Sequence, residues 1–163
     1  MVWGTLWCGA HYGVGHIMVW GAFSGKGGRD GLWFMPASNM INAVVYQNIL
    51  KEKLITFHEI QQVQYFQHDG APCHTAKTVT KWLSNNNIPV IGPWPGSSPD
   101  LIPIENLWIQ MKRKVACRNP TSVDHLKDLI KEVLVKETSL ESCRALARSM
   151  PKRISTVDRK SVV

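Results

Sequence analysis

Two acidic residues lie where they could act together on a metal ion. Asp69 ends a segment with the alternation of a β-strand, residues 63–68, and is followed by the loop residues GAPCH. Glu105 opens a helical pattern after a proline-rich loop, and its helix neighbours Ile109 and Lys112 lie off the apolar stripe. If this helix packs beside that strand, the two carboxylates converge, which suits Mg²⁺ and, with two ions, phosphodiester chemistry.

Each of these acids also has an ordinary structural explanation. Asp69 fits a residue that caps its own loop, and Glu105 fits the first turn of a helix, where the helix dipole favours an acid. On these two residues alone, the structural role is the commoner one. The choice between the two therefore depends on the sequence motifs around them.

A succession of short elements positions the two acids. Two apolar runs separated by a glycine-rich turn predict a hairpin, and later segments alternate between helical and strand periodicity. This order predicts an α/β fold with a mixed sheet flanked by helices and a basic, helical C-terminal tail. The predicted strands are residues 16–23, 31–36, 63–68 and 88–91, and the predicted helices are residues 42–53, 73–85, 103–115, 123–133 and 140–149.

The same periodicities predict helix caps and a core. Asn39 or Asn42 is expected to cap the first helix, and Thr121 or Ser122 the fourth. Pro103 suits the first position of the helix predicted at residues 103–115. The side chains expected to be buried are Trp20, Val45, Ile49, Phe66, Val79, Leu83, Ile104, Leu107, Trp108 and Met111.

The positive charge of the chain is concentrated in its last third. The 163 residues suit a single domain and carry a formal net charge of +7. Residues 101–163 hold 13 basic and seven acidic side chains, against six and five in residues 1–100. Such a basic surface attracts a polyanion such as DNA, and a solvated basic face without a ligand is the alternative.

Hydropathy and cysteine spacing argue against other classes of protein. No apolar run approaches the ~20 residues that span a bilayer, so no membrane partner is expected. Two Cys-His pairs lack a second pair at zinc-finger spacing, so no structural zinc is expected. The four cysteines are widely spaced along the chain: Cys8, Cys73, Cys117 and Cys143. This spacing disfavours a disulfide framework and favours a reducing compartment.

Four motifs are specific enough to suggest a family. They are MVWGAFS at residues 18–24, QHDGAPCHTAKTVTKWL at 67–83, PWPGSSPDLIPIENLWIQMKRKV at 93–115 and PKRI at 151–154. Together they resemble the catalytic domain of Tc/mariner superfamily transposases, over about residues 15–154. The resemblance implies a ribonuclease-H-like fold and metal-dependent cutting and joining of DNA by an Asp-Asp-Glu triad.

The resemblance also implies roles for individual residues. Asp69 matches the second catalytic aspartate and Glu105 the third acid, so both are the expected catalytic and metal-binding residues, with magnesium or manganese as the cofactor. Thirty-five residues lie between them, close to the family's usual spacing. Further matched residues are expected to shape the site: His74, Trp94, Ser98, Pro99, Asp100 and Asn106.

The chain also departs from the family pattern. The first catalytic aspartate of the family lies on an opening strand before MVWGAFS, yet residues 1–17 contain no Asp or Glu. We expect that strand and the DNA-reading helix-turn-helix domains to be missing, so that residues 1–163 form one partial domain of a truncated transposase. Gly70 and Ile102 stand where Asn is usual. Asp30 is the nearest alternative acid, and its place beside a glycine-rich turn fits a solvated turn residue better.

Two functions from different classes remain open. The first is a metal-dependent DNA endonuclease and strand transferase, which we expect to be inactive here because two of three metal-binding carboxylates are present. The second is a non-catalytic remnant that binds nucleic acid or a partner protein. In both cases we expect electrostatic, weakly sequence-specific DNA binding, the homodimer of the family and a nuclear location. The expected DNA contacts are Lys112, Arg113, Lys114, Arg118, Lys152 and Arg153.

Overall fold

Four strands form one mixed sheet in the order β3-β2-β1-β4. Strand β1 (Val2–Cys8) pairs antiparallel with β2 (Met18–Ser24), which pairs antiparallel with β3 (Trp33–Met35). The short β4 (Phe66–Gln67) pairs parallel with β1. The computed structural model describes the backbone of residues 5–8 and 157–160 and, in full, residues 1–4, 17–26, 28, 31–35, 41–62, 64–92 and 101–156.

The centre of the sheet is occupied by β1, and the expectation of a missing opening strand is therefore wrong. Its residues, VWGTLWC, carry no charge and pair with β2 along their whole length, from Val2 opposite Ser24 to Cys8 opposite Met18. Local periodicity does not predict this strand because its pairing partners lie further along the chain. As a result, β1 lies directly beside the strand that leads to Asp69.

The part of the chain that the structure describes contains seven α-helices. Asn42 caps the first and Ser122 the fifth, each accepting backbone hydrogen bonds through its side chain, which confirms one of the two residues proposed at each cap. Short π-helical turns follow α1 at Leu50–Leu54 and α5 at Val133–Glu137. The helices are α1 (Ala43–Ile49), α2 (Ile55–Gln61), α3 (Lys77–Asn85), α4 (Pro103–Ala116), α5 (Val123–Glu132), α6 (Leu140–Arg148) and α7 (Met150–Lys160).

The core has two parts, one on each face of the sheet. Strand alternation sends Trp3, Val19 and Phe23 to one face, where they belong to the same buried cluster as the apolar stripe of α4 and residues of α5 and α6. Val2 and Trp20 belong to the opposite cluster, with α1, α2 and α3. Strand β4, which leads to the Asp69 loop, joins the second cluster through Phe66. Helix α4 packs on the opposite face of the sheet, in the first cluster.

The predicted core is confirmed at nine of its ten positions. The exception is Val45, which is half-buried, whereas Tyr46 is fully buried. The buried residues of this segment follow a helical stripe that starts at Tyr46 and continues through Ile49, Leu50 and Phe57. The prediction at Val45 is therefore one residue out of phase with the observed stripe.

Three of the predicted strands are shorter than expected, and the one predicted at residues 31–36 forms β3 at Trp33–Met35. The segment at residues 63–68 forms β4 at Phe66–Gln67 alone, and the segment at 88–91 makes one parallel bridge, between Val90 and Phe66. The predicted hairpin is confirmed as β2 and β3. The basic C-terminal tail is helical, as predicted, and continues past α6 as α7.

Candidate functional site

The first acid of the candidate site, Asp69, lies in the loop directly after β4. Its Oδ1 accepts a hydrogen bond from the backbone N–H of Ala71, with N and O 3.1 Å apart, and another from Nδ1 of His74. The side chain of Asp69 is 32% exposed, whereas that of His74 is 1% exposed. A buried ring therefore holds a partly exposed carboxylate in one orientation.

The turn after Asp69 brings His74 back to that carboxylate. Pro72 takes the second position of the turn, where its fixed φ is favoured, and the turn closes with a 2.9 Å hydrogen bond from the His74 N–H to Ala71 O. Helix α3 begins at Lys77, after the turn is complete. The motif DGAPCH is thus a compact loop whose last residue contacts its first.

Three ring side chains form a buried cluster behind this loop. The ring centroids of Tyr46 and His74 are 3.9 Å apart, and Oη of Tyr46 lies 3.1 Å from Nδ1 of His68. Burial, aided by the neighbouring His74, lowers the pKa of His68 to about 4. Burial likewise raises the pKa of Tyr46 well above its usual value. At neutral pH the His68 ring is therefore uncharged, and its Nδ1 shares a hydrogen bond with the Tyr46 hydroxyl.

The second acid, Glu105, lies in the first turn of α4 and is half-buried. Burial and the negative charge of Asp69 both raise the pKa of Glu105, and Lys112 acts in the opposite direction. One carboxylate changes the pKa of another only when the two are near each other. The structure thus brings the two acids within electrostatic reach, and their role as metal ligands stays a prediction.

A buried amide joins the segments that carry the two acids. Gln67 of β4 is fully buried, and its Nε2 donates a 2.9 Å hydrogen bond to the carbonyl oxygen of Leu101. Leu101 lies two residues before the start of α4. This hydrogen bond fastens the approach to α4 onto the strand that leads to Asp69.

The neighbouring strand offers no third carboxylate. Strand β1 runs parallel beside β4, and its residues VWGTLWC include no Asp or Glu. Within the described ranges, no group of three or more His, Cys, Asp or Glu side chains could hold a metal ion. Two carboxylates fit one oxygen-seeking divalent cation of the kind that keeps most of its waters, and they are too few for a pair of ions.

The structure places some of the residues expected to shape the site. His74 holds Asp69, and Asn106 follows Glu105 on α4, where it is half-buried. At Gly70, an added Cβ would meet no atom within 4 Å, so the Asn usual in the family would fit there. The other predicted residues lie outside the described part of the chain: Asp30, Trp94, Ser98, Pro99 and Asp100.

The six basic residues predicted to contact DNA differ in their surroundings. Arg113 on α4 and Lys152 on α7 are exposed. Arg153 donates a 2.7 Å hydrogen bond from Nε to Oγ of Ser149, and Lys112 interacts with Glu105. The remaining two are in ion pairs with acids near the end of α5, Lys114 with Glu137 (3.5 Å) and Arg118 with Glu132 (3.0 Å).

Two further observations concern membrane spans and cysteines in the described part of the chain. Among the described helices, none is both long and apolar enough to cross a membrane. Cys73, Cys117 and Cys143, the cysteines whose side chains the structure describes, form no disulfide, and burial raises the pKa of Cys73, which lies in the Asp69 loop. The expected absence of structural zinc stays a prediction.

Sequence reasoning assigns no role to three residues that the structure places around Asp69. Gln67 and His68 precede Asp69 directly, and their polarity within an apolar strand is a signal that could have drawn attention to them. Tyr46 lies 22 residues before His68, with no spacing that connects it to the loop. Its contact with His74 is a product of tertiary packing between α1 and the loop.

Comparison with known proteins identifies the class to which this fold and site belong. The Tcb2 transposase of Caenorhabditis briggsae is 30% identical over 148 residues, 90% of this chain and 52% of the relative. The Tc3 transposase of Caenorhabditis elegans is 33% identical over 153 residues, 91% of this chain and 45% of the relative. Both relatives are transposases of transposable elements. The chain spans about half the length of the curated relatives it matches.

The family assignment rests on a second comparison. The family model described as DDE superfamily endonuclease matches residues 14–129. The match covers most of the chain and includes both Asp69 and Glu105. The chain belongs to the DDE superfamily endonuclease family.

Solved structures confirm the predicted ribonuclease-H-like fold. A pre-cleavage Mos1 transpososome matches with a TM-score of 0.82 and 21% identity, over 95% of this chain and 54% of that chain. The Mos1 transposase catalytic domain, solved with raltegravir and Mn, matches with a TM-score of 0.75 and 24% identity, over 92% of this chain and 78% of that chain. At these identities, the likeness shows the fold alone.

Proposed function

We propose that this domain binds DNA through charge and holds one divalent cation between Asp69 and Glu105, but does not cleave or join DNA with its present acids. By ancestry it is an endonuclease and strand-transfer domain of a DNA transposase. The observation that carries the proposal is the composition of β1, the strand beside β4, which contains no carboxylate. The site thus has two of the three acids expected from the resemblance.

The donor chemistry supports a magnesium or manganese ion at this place. Hydrogen bonds from Ala71 and His74 orient the carboxylate of Asp69, and the first turn of α4 positions Glu105. The raised pKa of Glu105 reflects burial and repulsion by Asp69, and a cation between the two would relieve that repulsion. The Mos1 catalytic domain has been solved with Mn and with Mg, which supports this choice of ion. When bound, such an ion supplies positive charge to a phosphate group and lowers the pKa of a coordinated water.

Ligand number is the reason for expecting no turnover. Phosphodiester cleavage by two metal ions stabilises the attacking and the leaving oxygen at once, and each ion needs protein ligands of its own. Asp69 and Glu105 can bind one metal ion weakly, and a second metal ion is left without protein ligands of its own. The domain would therefore bind its ligands without completing the displacement.

The basic C-terminal third supports DNA as the partner. Exposed Arg113 and Lys152 and the net charge of +7 favour contact with phosphates rather than with bases. Similar structures include a Mos1 transpososome and a paired-end complex with the left transposon end, which supports DNA binding and a homodimer for this chain. A nuclear, reducing location is part of the same proposal.

A metal-dependent cleavage assay tests the catalytic part of this proposal. We expect the purified chain, supplied with Mg²⁺ or Mn²⁺, neither to nick nor to join DNA above background. Wild type is compared with Asp69→Asn, Glu105→Gln and Asp30→Asn. Cleavage by wild type that disappears in the first two variants would overturn the proposed inactivity, and its loss in the third would identify Asp30 as the missing ligand.

A further inference from the structure

Gln67 is a buried polar residue whose presence is not explained by stability. Its side chain is fully buried, Nε2 donates to Leu101 O at 2.9 Å, and Oε1 meets no hydrogen-bond donor among the described residues. Burying an amide oxygen without a donor is unfavourable and offsets what the hydrogen bond to Leu101 contributes to stability.

The single hydrogen bond of Gln67 lies between the two acids of the site. Gln67 is two residues before Asp69, and Leu101 is four residues before Glu105. The N-cap of α4, Ile102, provides no side-chain hydrogen bond to the helix start. The bond from Gln67 is therefore a specific polar contact that holds the approach to α4 against the sheet.

We propose that Gln67 is a positioning residue that sets the separation of the Asp69 and Glu105 carboxylates. This inference rests on the proposed cation site. The apolar stripe of α4, with Leu107 and Trp108 in the core, fixes the axis of the helix. Ile104 ties the first turn to that stripe, and the chain just before the turn is held by the bond from Gln67 to Leu101. When the bond from Gln67 is lost, the first turn shifts and the cation keeps Asp69 as its main protein ligand.

The test is a titration of the full chain with Mn²⁺, followed by the paramagnetic broadening of backbone amide NMR signals. In wild type, we expect the signals of Gly70 and of the first turn of α4 to broaden at the same Mn²⁺ concentration. In Gln67→Met, which keeps the size and removes the N–H, we expect about tenfold weaker binding, as for other residues that orient metal ligands. Broadening should then be confined to the Asp69 loop, while the protein stays folded.

A second variant and a matched control separate positioning from folding. Gln67→Asn keeps the amide but shortens the side chain by one methylene, so it should weaken Mn²⁺ binding in the same way. Thr138→Val removes another buried hydrogen bond, from Oγ1 to Val133 O at 3.3 Å, and should lower the melting temperature without changing Mn²⁺ affinity.

The outcomes distinguish this inference from the proposed function. If wild type binds no Mn²⁺, the proposed cation site is wrong and the inference falls with it. If wild type binds Mn²⁺ and both Gln67 variants bind it equally well, with broadening on both sides, the positioning role alone is overturned. A loss of affinity in Thr138→Val as large as that in Gln67→Met would also overturn it, because the effect would then follow from destabilisation.

Discussion

Nδ1 of His74 donates a hydrogen bond to Oδ1 of Asp69, and the ring that does so is almost completely buried. The two residues are five positions apart, on either side of a proline turn, so the loop itself determines their contact. The ring of Tyr46 packs against the His74 ring, with centroids 3.9 Å apart, and limits the movement of His74. A partly exposed carboxylate is thus oriented by buried groups, which is what a rigid metal ligand requires.

Replacing the ring should therefore affect both stability and the site. We expect His74→Ala to lower the free energy of unfolding by about 2–4 kcal/mol, because it removes a hydrogen bond to a charged group and leaves a cavity beside Tyr46. Urea denaturation measures the loss. Thr75→Ala is the control, since it removes an exposed side-chain bond of the same loop and should cost about 0.5 kcal/mol. Equal losses in the two variants would contradict the structural role of the buried ring.

His68 should make the protein less stable in acid. Its pKa in the fold is about 4, below the ordinary 6.5, so the unfolded chain binds a proton between these values while the folded chain does not. Stability that is fully present above pH 6.5 is therefore lost as the pH falls towards 4, by about 3 kcal/mol in total.

Comparison with His68→Gln isolates this contribution. Glu105, with its raised pKa, has the opposite effect on stability in acid, but it is present in both proteins and cancels in the difference. Denaturation of both proteins at a series of pH values measures how the difference in their unfolding free energies changes with pH. A difference that stays constant from pH 7 to pH 4 would show that the His68 ring becomes charged in the fold without a penalty.

The helices that carry strong apolar stripes were predictable from the sequence. Helix α4 begins at Pro103 and buries Ile104, Leu107, Trp108 and Met111, as the spacing indicates, because helical packing depends on residues three and four positions apart. The same local logic narrowed each of two helix caps to a pair of residues that includes the observed cap, Asn42 or Ser122. The loop motifs around both acids pointed to the family, which the comparisons confirm.

The features that could not be predicted from the sequence are contacts between residues far apart in the chain. Strand β1 gains its place from pairing with β2 and with β4, and the Trp3–Gln67 pair joins residues far apart in the chain. The contact of Tyr46 with His74 likewise depends on how α1 packs over the loop. No spacing rule encodes such contacts, because they arise from the surfaces of finished elements.

The stripe of α4 allows a direct test of the core. Trp108 is 2% exposed and Ile109, the next residue, is 49% exposed. We expect Trp108→Ala to cost about 3–5 kcal/mol of unfolding free energy, because it empties a large buried volume. Ile109→Ala should change it by less than about 0.5 kcal/mol. An unchanged melting curve for a soluble Trp108→Ala protein would show that this face of α4 does not carry the core.

DNA binding should depend steeply on salt, and unequally on the basic residues. We expect affinity for a random duplex to fall between about 50 and 200 mM salt, with a slope near −0.9 for each phosphate neutralised. Arg113→Ala and Lys152→Ala should each reduce the slope by about one such unit, because both side chains are exposed. Arg118→Ala should reduce it less, because Glu132 already neutralises that charge.

Fluorescence anisotropy with a labelled duplex measures these slopes. The Lys114–Glu137 pair provides a second comparison, since Lys114→Ala is expected to behave like Arg118→Ala. Absence of binding at low salt, or binding that high salt does not weaken, would contradict the basic surface as a DNA contact.

The position that lacks an acid can be located from strand register. Strands β1 and β4 are parallel, with Trp3 opposite Gln67, and continuing that register by two residues brings position 5 level with Asp69. Position 5 also pairs with Gly21 of β2, which places it inside the sheet. Strand alternation puts it on the same face of β1 as Trp3, the face against which α4 packs. A residue at position 5 is thus level with Asp69 on the face of the sheet where α4 packs.

Thr5→Asp should therefore complete the set of metal ligands. We expect this variant to bind Mn²⁺ more tightly than wild type and to nick DNA above background in its presence, because three carboxylates can share two ions. Thr5→Asn is the control of equal size, and it should do neither, since an amide brings no charge to the site. Mn²⁺ titration and the cleavage assay on supercoiled DNA give the two readouts. A folded Thr5→Asp protein with the Mn²⁺ affinity of wild type would show that the register of β1 does not continue to Asp69, and the third ligand would then have to come from another element.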